Sequence, residues 1–157
     1  MKEYTLAFCF SQTLELMFLR TMPDGKNQGK NNGLGGRIDK DDLTMERQME
    51  QFFDVKDSKL IKKRSIMTVE LHEGCTPKSS GEPIRLHIIG MVYDHLKRDP
   101  NAPLDAQIRH KPTYAALIES AEDLVEMHAS LRYAGKYVPG FHYFLTETLA
   151  VLKREDD

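Results

Sequence analysis

Tryptophan is absent from this 157-residue chain, and cysteine is nearly so, with only Cys9 and Cys75 present. One lies inside an apolar run and the other in a polar stretch. That argues against a disulfide framework and points to a reducing, cytoplasmic setting. Charge of one sign is lacking too: 22 basic against 24 acidic residues leave a formal net charge of −2. Such a balance gives no whole-molecule attraction to a nucleic-acid polymer or a membrane, so neither is expected as a partner and an anionic ligand must be held locally. No long hydrophobic run occurs. Leu6 to Leu19 comes nearest, but Glu3 precedes it and Glu15 interrupts it, so neither a secretory leader nor a membrane span is expected. What remains is the composition of a folded unit, 40% hydrophobic and 29% charged. At this length one domain, 1–157, buries roughly two thirds of its unfolded surface and needs no staple.

Taken in order, the chain alternates strand-like and helical stretches. Glu3 to Phe10 and Leu14 to Arg20 are dense in aromatic and apolar residues over strand lengths and read as two paired strands. Met22 to Asn32 carries Pro23, Gly25 and Gly29 among asparagines and lysines and reads as a loop. Gly33, Gly35 and Gly36 predict a tight turn or a close approach of the backbone, followed by a short edge strand at Arg37-Ile38-Asp39. Asp41 or Asp42 is expected to cap a helix whose apolar face is Met45, Met49, Phe52 and Phe53. Leu60 to Glu73, with Met67, Val69 and Leu71 alternating, and Ile84 to Leu96 read as strands. Thr113 to Glu119 suits strand or helix. Ser120 with Asp123 resembles a capping box opening a helix to about Leu131, and Phe141 to Arg154 is a last amphipathic helix with Phe144, Leu145, Leu149 and Leu152 inward. Strands, acidic helix, strands, helices is an order that suits a mixed sheet with helices on its faces.

The stretch with chemical content is Gly29 to Asp54. A glycine-rich turn that feeds a helix rich in carboxylates is one way to set metal ligands beside a phosphate-sized gap. On the helix, Glu46, Glu50 and Asp54 recur at four-residue spacing and share a face. A solvated acidic face explains them as well, because like charges so spaced disfavour a helix by only roughly 0.2–0.5 kcal/mol per pair. Arg37, Lys26 and Lys30 flank the gap. Gly29-Lys30-Asn31 lacks the Ser/Thr of a phosphate-binding loop, and Gly33-x-Gly35 lacks the third glycine of a dinucleotide fingerprint. The six histidines show no paired ligand spacing.

Gly29-Lys30-Asn31-Asn32-Gly33-Leu34-Gly35-Gly36-Arg37-Ile38-Asp39 resembles the lead-in to the Nudix box of the MutT/Nudix family, G-K-[WY]-N-G-x-G-G-[KR]-[IV]-E, with Asn31 in place of the aromatic residue and Asp39 in place of the Glu. The resemblance implies an α/β fold of the α+β kind, a Nudix-like α/β/α sandwich with a mixed β-sheet. It also implies a hydrolase using Mg2+ or Mn2+ on a nucleoside diphosphate derivative. The box continues G-x5-E-x7-R-E-U-x-E-E-x-G-U, with U aliphatic, and here the copy departs. Without gaps from Gly36, the first Glu becomes Asp42, the Arg-Glu pair Glu50-Gln51, and the Glu-Glu pair Asp54-Val55. One deletion before the helix puts Glu50 and Asp54 on two metal positions, Phe53 on the third and Met49 in place of the Arg. The expected site is therefore Glu50 and Asp54 as catalytic metal ligands, the Gly35 carbonyl as a further ligand, and Arg37 with Gly36 as substrate contacts. The expected function is binding, with impaired or divergent hydrolysis, of a nucleotide-like small molecule. The alternative is a catalytically degenerate Nudix fold acting as a nucleotide sensor or protein-interaction module, and a third reading has the acidic helix merely mediate a homodimer.

Overall fold

A computed structural model of the chain describes residues 2–22, 27–38, 45–53, 58–71, 83–94, 116–126 and 135–156. Its elements are β1 (Lys2–Ser11), β2 (Leu16–Thr21), β3 (Asn31–Asn32), β4 (Leu34–Arg37), α1 (Met45–Phe52), β5 (Leu60–Leu71), β6 (Ile84–Tyr93), β7 (Ala116–Ser120), α2 (Ala121–Glu126) and α3 (Phe141–Asp156). The strands form one mixed sheet in the order β3-β2-β1-β6-β5, with β4 added to β1 and β7 to β2. β1 and β6 run parallel from Lys2↔Ile84 to Ser11↔Tyr93, and the other strand pairs are antiparallel. One edge of β1 is shared: Tyr4 to Ala7 pair with β4, and Cys9 and Phe10 pair with β2. No helix among the described residues is long and apolar enough to cross a membrane.

Two apolar cores follow from the two-residue period of a strand. Leu6, Phe8 and Phe10 point to one side, where they meet Ala121 and Leu124 of α2 and Phe141, Phe144, Leu145, Leu149 and Leu152 of α3. Ala7 and Cys9 point to the other, where they join Phe18, Leu34, Met91, and the Met45, Met49 and Phe53 side chains brought by α1. Because both faces of β1 are buried, its sequence is apolar without interruption from Leu6 to Phe10. The result is an α/β/α arrangement, with a mixed sheet between α1 and the α2/α3 pair.

Several boundaries differ from those expected. The ambiguous segment before Ser120 is a strand, because Leu16 to Arg20 offer it a partner edge, with Phe18 opposite Ile118. Ser120 does open α2, its hydroxyl accepting from the Asp123 amide at 3.3 Å, while the expected continuation to Leu131 lies outside the described residues. α3 extends to Asp156 and buries all four residues assigned inward. In β5 the alternation is broken by register shifts at Leu60/Lys62 and Ser65/Met67, so Ile66 joins Met67 and Val69 against the core. The proposed cap at Asp41 or Asp42 falls outside the described residues.

Of the two readings of the glycines, close approach of the backbone holds and the tight turn does not. Gly35 and Gly36 belong to strand β4 rather than to a tight turn, and the strand ends at Arg37 with Ile38 beyond it. The glycines are required by proximity: a Cβ on Gly33 would lie 2.4 Å from the Ala7 carbonyl oxygen, and one on Gly35 2.1 Å from that of Thr5. Gly35 also has φ +139°, a region that side-chain-bearing residues avoid. Gly35→Ala is therefore expected to destabilise the fold by more than about 1 kcal/mol, read as a melting-temperature drop of about 2–4 °C or more.

Across the sheet, His87 of β6 joins its two neighbours. Its Nε2 lies 3.0 Å from Glu3 Oε1 on β1 and its Nδ1 3.0 Å from Thr68 Oγ1 on β5. With Glu3 ionised, Nε2–H donates to the carboxylate and the Thr68 hydroxyl donates to Nδ1. The hydrogen bond from His87 holds the Glu3 carboxyl below its ordinary range, desolvation opposes this, and Arg85 adds to the lowering. A lowered folded-state pKa means stability that is present above the unfolded value of about 4.3 and lost as pH falls through the folded one. Glu3→Gln should flatten the acid limb of a melting-temperature profile by lowering its neutral part toward the low-pH value, which is little changed.

Candidate functional site

The site is where α1 docks beside β4. Met45 and Met49 turn inward at four-residue spacing, and Phe53, just past the helix, sets its ring 5.0 Å from that of Phe18 in an edge contact. Gln48 turns inward with them and is only 2% exposed. Its Oε1 accepts from the Gly35 amide at 2.9 Å, and its Nε2 donates to the Gly35 carbonyl at 3.0 Å. A buried primary amide needs such partners, and one residue of β4 supplies both.

The carboxylates lie on the flank of the helix. Glu46 accepts from Lys63 Nζ of β5 at 2.6 Å, and Glu50, one turn on, is exposed. Beneath them the end of the sheet is sealed. Burial, with a smaller contribution from Glu46, raises the Cys9 thiol pKa, so the group stays protonated and unreactive. Burial likewise lifts the Tyr93 hydroxyl, with Cys9, Glu46 and Glu50 adding to the rise.

Gly35 is at the heart of the α1–β4 contact, and its carbonyl accepts from Gln48. Gly36 lies next in β4, opposite Thr5, whose hydroxyl is 3.4 Å from the Gly36 carbonyl. Arg37 pairs through its backbone with Tyr4, and its side chain is outside the described set. Glu50 is on the exposed flank of α1, sharing a face with Glu46. Asp54 is outside the described residues. Among the described residues no group of three or more His, Cys, Asp or Glu side chains could hold a metal ion. A Mg2+ ion takes near-octahedral oxygen ligands, including one or two carboxylates. The described donors, one exposed glutamate, one glutamate paired with Lys63 and one carbonyl bonded to Gln48, do not fit that requirement. His87 and His142 make structural contacts, the latter with its Nε2 3.2 Å from the Val125 carbonyl.

In the sequence Gln48 is overshadowed by the carboxylates on either side of it, Glu46 and Glu50. The available signal was a polar amide at the inward spacing between Met45 and Met49, a position that demands a buried partner.

No family model matches the chain, and no curated protein matches its sequence. Solved structures do match. The E. coli ORF135 protein is similar with a TM-score of 0.54 and 14% identity, over 100% of this chain and 96% of that one. A MutT protein from Bacillus halodurans is similar with a TM-score of 0.50 and 8% identity, over 93% and 80% of the two chains. At these identities the likeness is one of fold: the chain has a MutT/Nudix-like α+β fold.

The contacts of α1 are unequal in strength. Gln48→Ala leaves the buried Gly35 N–H and C=O unpaired and should destabilise by about 1–3 kcal/mol. Lys63→Ala breaks only a partly exposed ion pair and should change stability by less than about 1 kcal/mol. Urea melts of the two variants check the ranking.

Proposed function

We propose that this Nudix-fold chain binds a nucleoside diphosphate derivative beside Gly36 and Arg37, and that its box supports little or no hydrolysis. The observation that carries the second half is the Gln48 contact with Gly35. The carbonyl for which the resemblance implies a cation already accepts a hydrogen bond from a neutral side chain. The first half rests on the fold and on the glycine stretch. Gly36, half-buried at the end of the close-packed glycine stretch, carries no side chain to bar a ligand, and Arg37 follows in the sequence with a guanidinium suited to bidentate phosphate recognition. A local cation of this kind is what a chain with a net charge of −2 needs to hold an anion.

A second reading keeps the hydrolysis. It is favoured by the exposed Glu50 carboxylate and by Asp54 four residues on in the sequence, two carboxylates that would hold one Mg2+ or Mn2+. Such an ion, when bound, neutralises charge on phosphate oxygens and lowers the pKa of bound water. On this reading Glu50→Gln abolishes turnover.

The two readings separate in one set of measurements on the whole chain. A panel of dNTPs, NAD, ADP-ribose and dinucleoside polyphosphates is followed by thermal shift, with EDTA or with Mg2+, and by product release. Binding without catalysis predicts stabilisation by about 2.7 kcal/mol at 100 times the dissociation constant, retained in EDTA, with no product formed. Turnover lost in Glu50→Gln would instead support the second reading. No shift with any nucleotide would turn the search to a protein partner or to a second copy of the chain.

A further inference from the structure

Gln48 and the residues beside it carry the disagreement with a metal site further. The Gln48 Nε2 stands 3.0 Å from the Gly35 carbonyl oxygen, and the Oε1 of the same amide takes the Gly35 N–H. A glutamate in the same conformation would put an oxygen where Nε2 stands. Two oxygens about 3.0 Å apart have the spacing of adjacent ligands in an octahedron with metal–oxygen distances of about 2.1 Å. In the glutamine the atom at that place carries hydrogens, aims one at the carbonyl and offers no lone pair to a cation. The difference between a cation ligand and a neutral clasp is thus one atom, in a side chain that is otherwise the same shape.

The residue order around Gln48 leads to the same place. Arg47-Gln48-Met49-Glu50-Gln51-Phe52 follows R-E-U-x-E-E if the connection after Gly36 is three residues shorter than the box spacing. Arg47 then matches the arginine. Met49, fully buried against the sheet, matches the apolar position, and the exposed Glu50 falls on the unconstrained one. The three acids become Gln48, Gln51 and Phe52. The gapped register, by contrast, puts Met49 and Phe53, both sealed in the core, on the arginine and on a metal position.

We infer that the box of this chain is aligned on Arg47-Gln48-Met49, and that Gln48 is a neutral replacement for a cation-binding carboxylate, joining β4 to α1 by an amide clasp instead of through an ion. This deepens the non-hydrolytic reading above and rests on it. Gln48 is a positioning residue, so its test is cation binding rather than activity. Wild type, Gln48→Glu, Gln48→Glu with Gln51→Glu, and Glu50→Gln are titrated with Mn2+ and followed by electron paramagnetic resonance, and their melting temperatures are recorded in EDTA and in Mg2+. The expected result is no saturable Mn2+ binding by wild type and a melting temperature indifferent to the cation. Gln48→Glu should melt lower in EDTA, recover with Mg2+, and gain saturable Mn2+ binding where wild type has none, tighter still with Gln51→Glu. A folded Gln48→Glu with no gain in Mn2+ binding overturns the inference. Wild-type Mn2+ binding that is lost in Glu50→Gln also overturns it, and needs no new variant to fold. Nucleotide turnover by wild type in which Glu50→Gln still binds Mn2+ like wild type would sink the non-hydrolytic reading by itself.

Discussion

Everything in this molecule depends on β1 being buried on both faces and hydrogen-bonded on both edges. Its parallel partner β6 holds one edge, while β4 and β2 divide the other. Its side chains alternate between the core under α2 and α3 and the core under α1. A strand so enclosed tolerates little room around its carbonyls, and the carbonyls of Thr5 and Ala7 are the groups that exclude any Cβ at Gly35 and Gly33. The glycine stretch thus serves first as a packing solution. Any ligand chemistry near Gly36 and Arg37 is built on that close contact.

The acidic helix is held by the same region. Three apolar side chains fasten α1 to the sheet, and Gln48 fixes its height relative to β4 by satisfying both backbone groups of Gly35. The charged residues are left to the flank, where Glu46 finds Lys63 and Glu50 faces water. Buried and polar contacts therefore set the geometry, and the charges make only a modest addition, as expected for partly exposed ion pairs.

Much of this was legible in the residues. The uninterrupted apolar run of β1, the paired β2, the Ser120 cap and the inward stripe of α3 are local patterns, and local patterns survive without knowledge of the partner. The glycines leave a tight turn and a close approach of the backbone open, because both demand the same residue, and only the neighbouring carbonyls of Thr5 and Ala7 decide for the second. The segment at Ala116 was ambiguous because Ala-Leu-Ile suits either element until β2 supplies an edge. At the candidate site Gly35 was found and Gln48 was not, since a buried amide gains its meaning from a partner 13 residues away. The carboxylate pair could be followed only as far as Glu50, which lies on the helix flank with Glu46.

The parallel pairing of β1 with β6 has a consequence in time. Lys2 meets Ile84 and Ser11 meets Tyr93 in register, so the central strand is synthesised about 80 residues before the strand that completes one of its edges. In that interval Leu6, Phe8 and Phe10 have neither their helices nor their full set of backbone partners. They form a cohesive, strand-prone segment that must be kept from other copies of itself. The middle of the finished sheet is thus the part of the nascent chain with the longest exposure to error, and chain length between partners, more than final stability, sets that hazard.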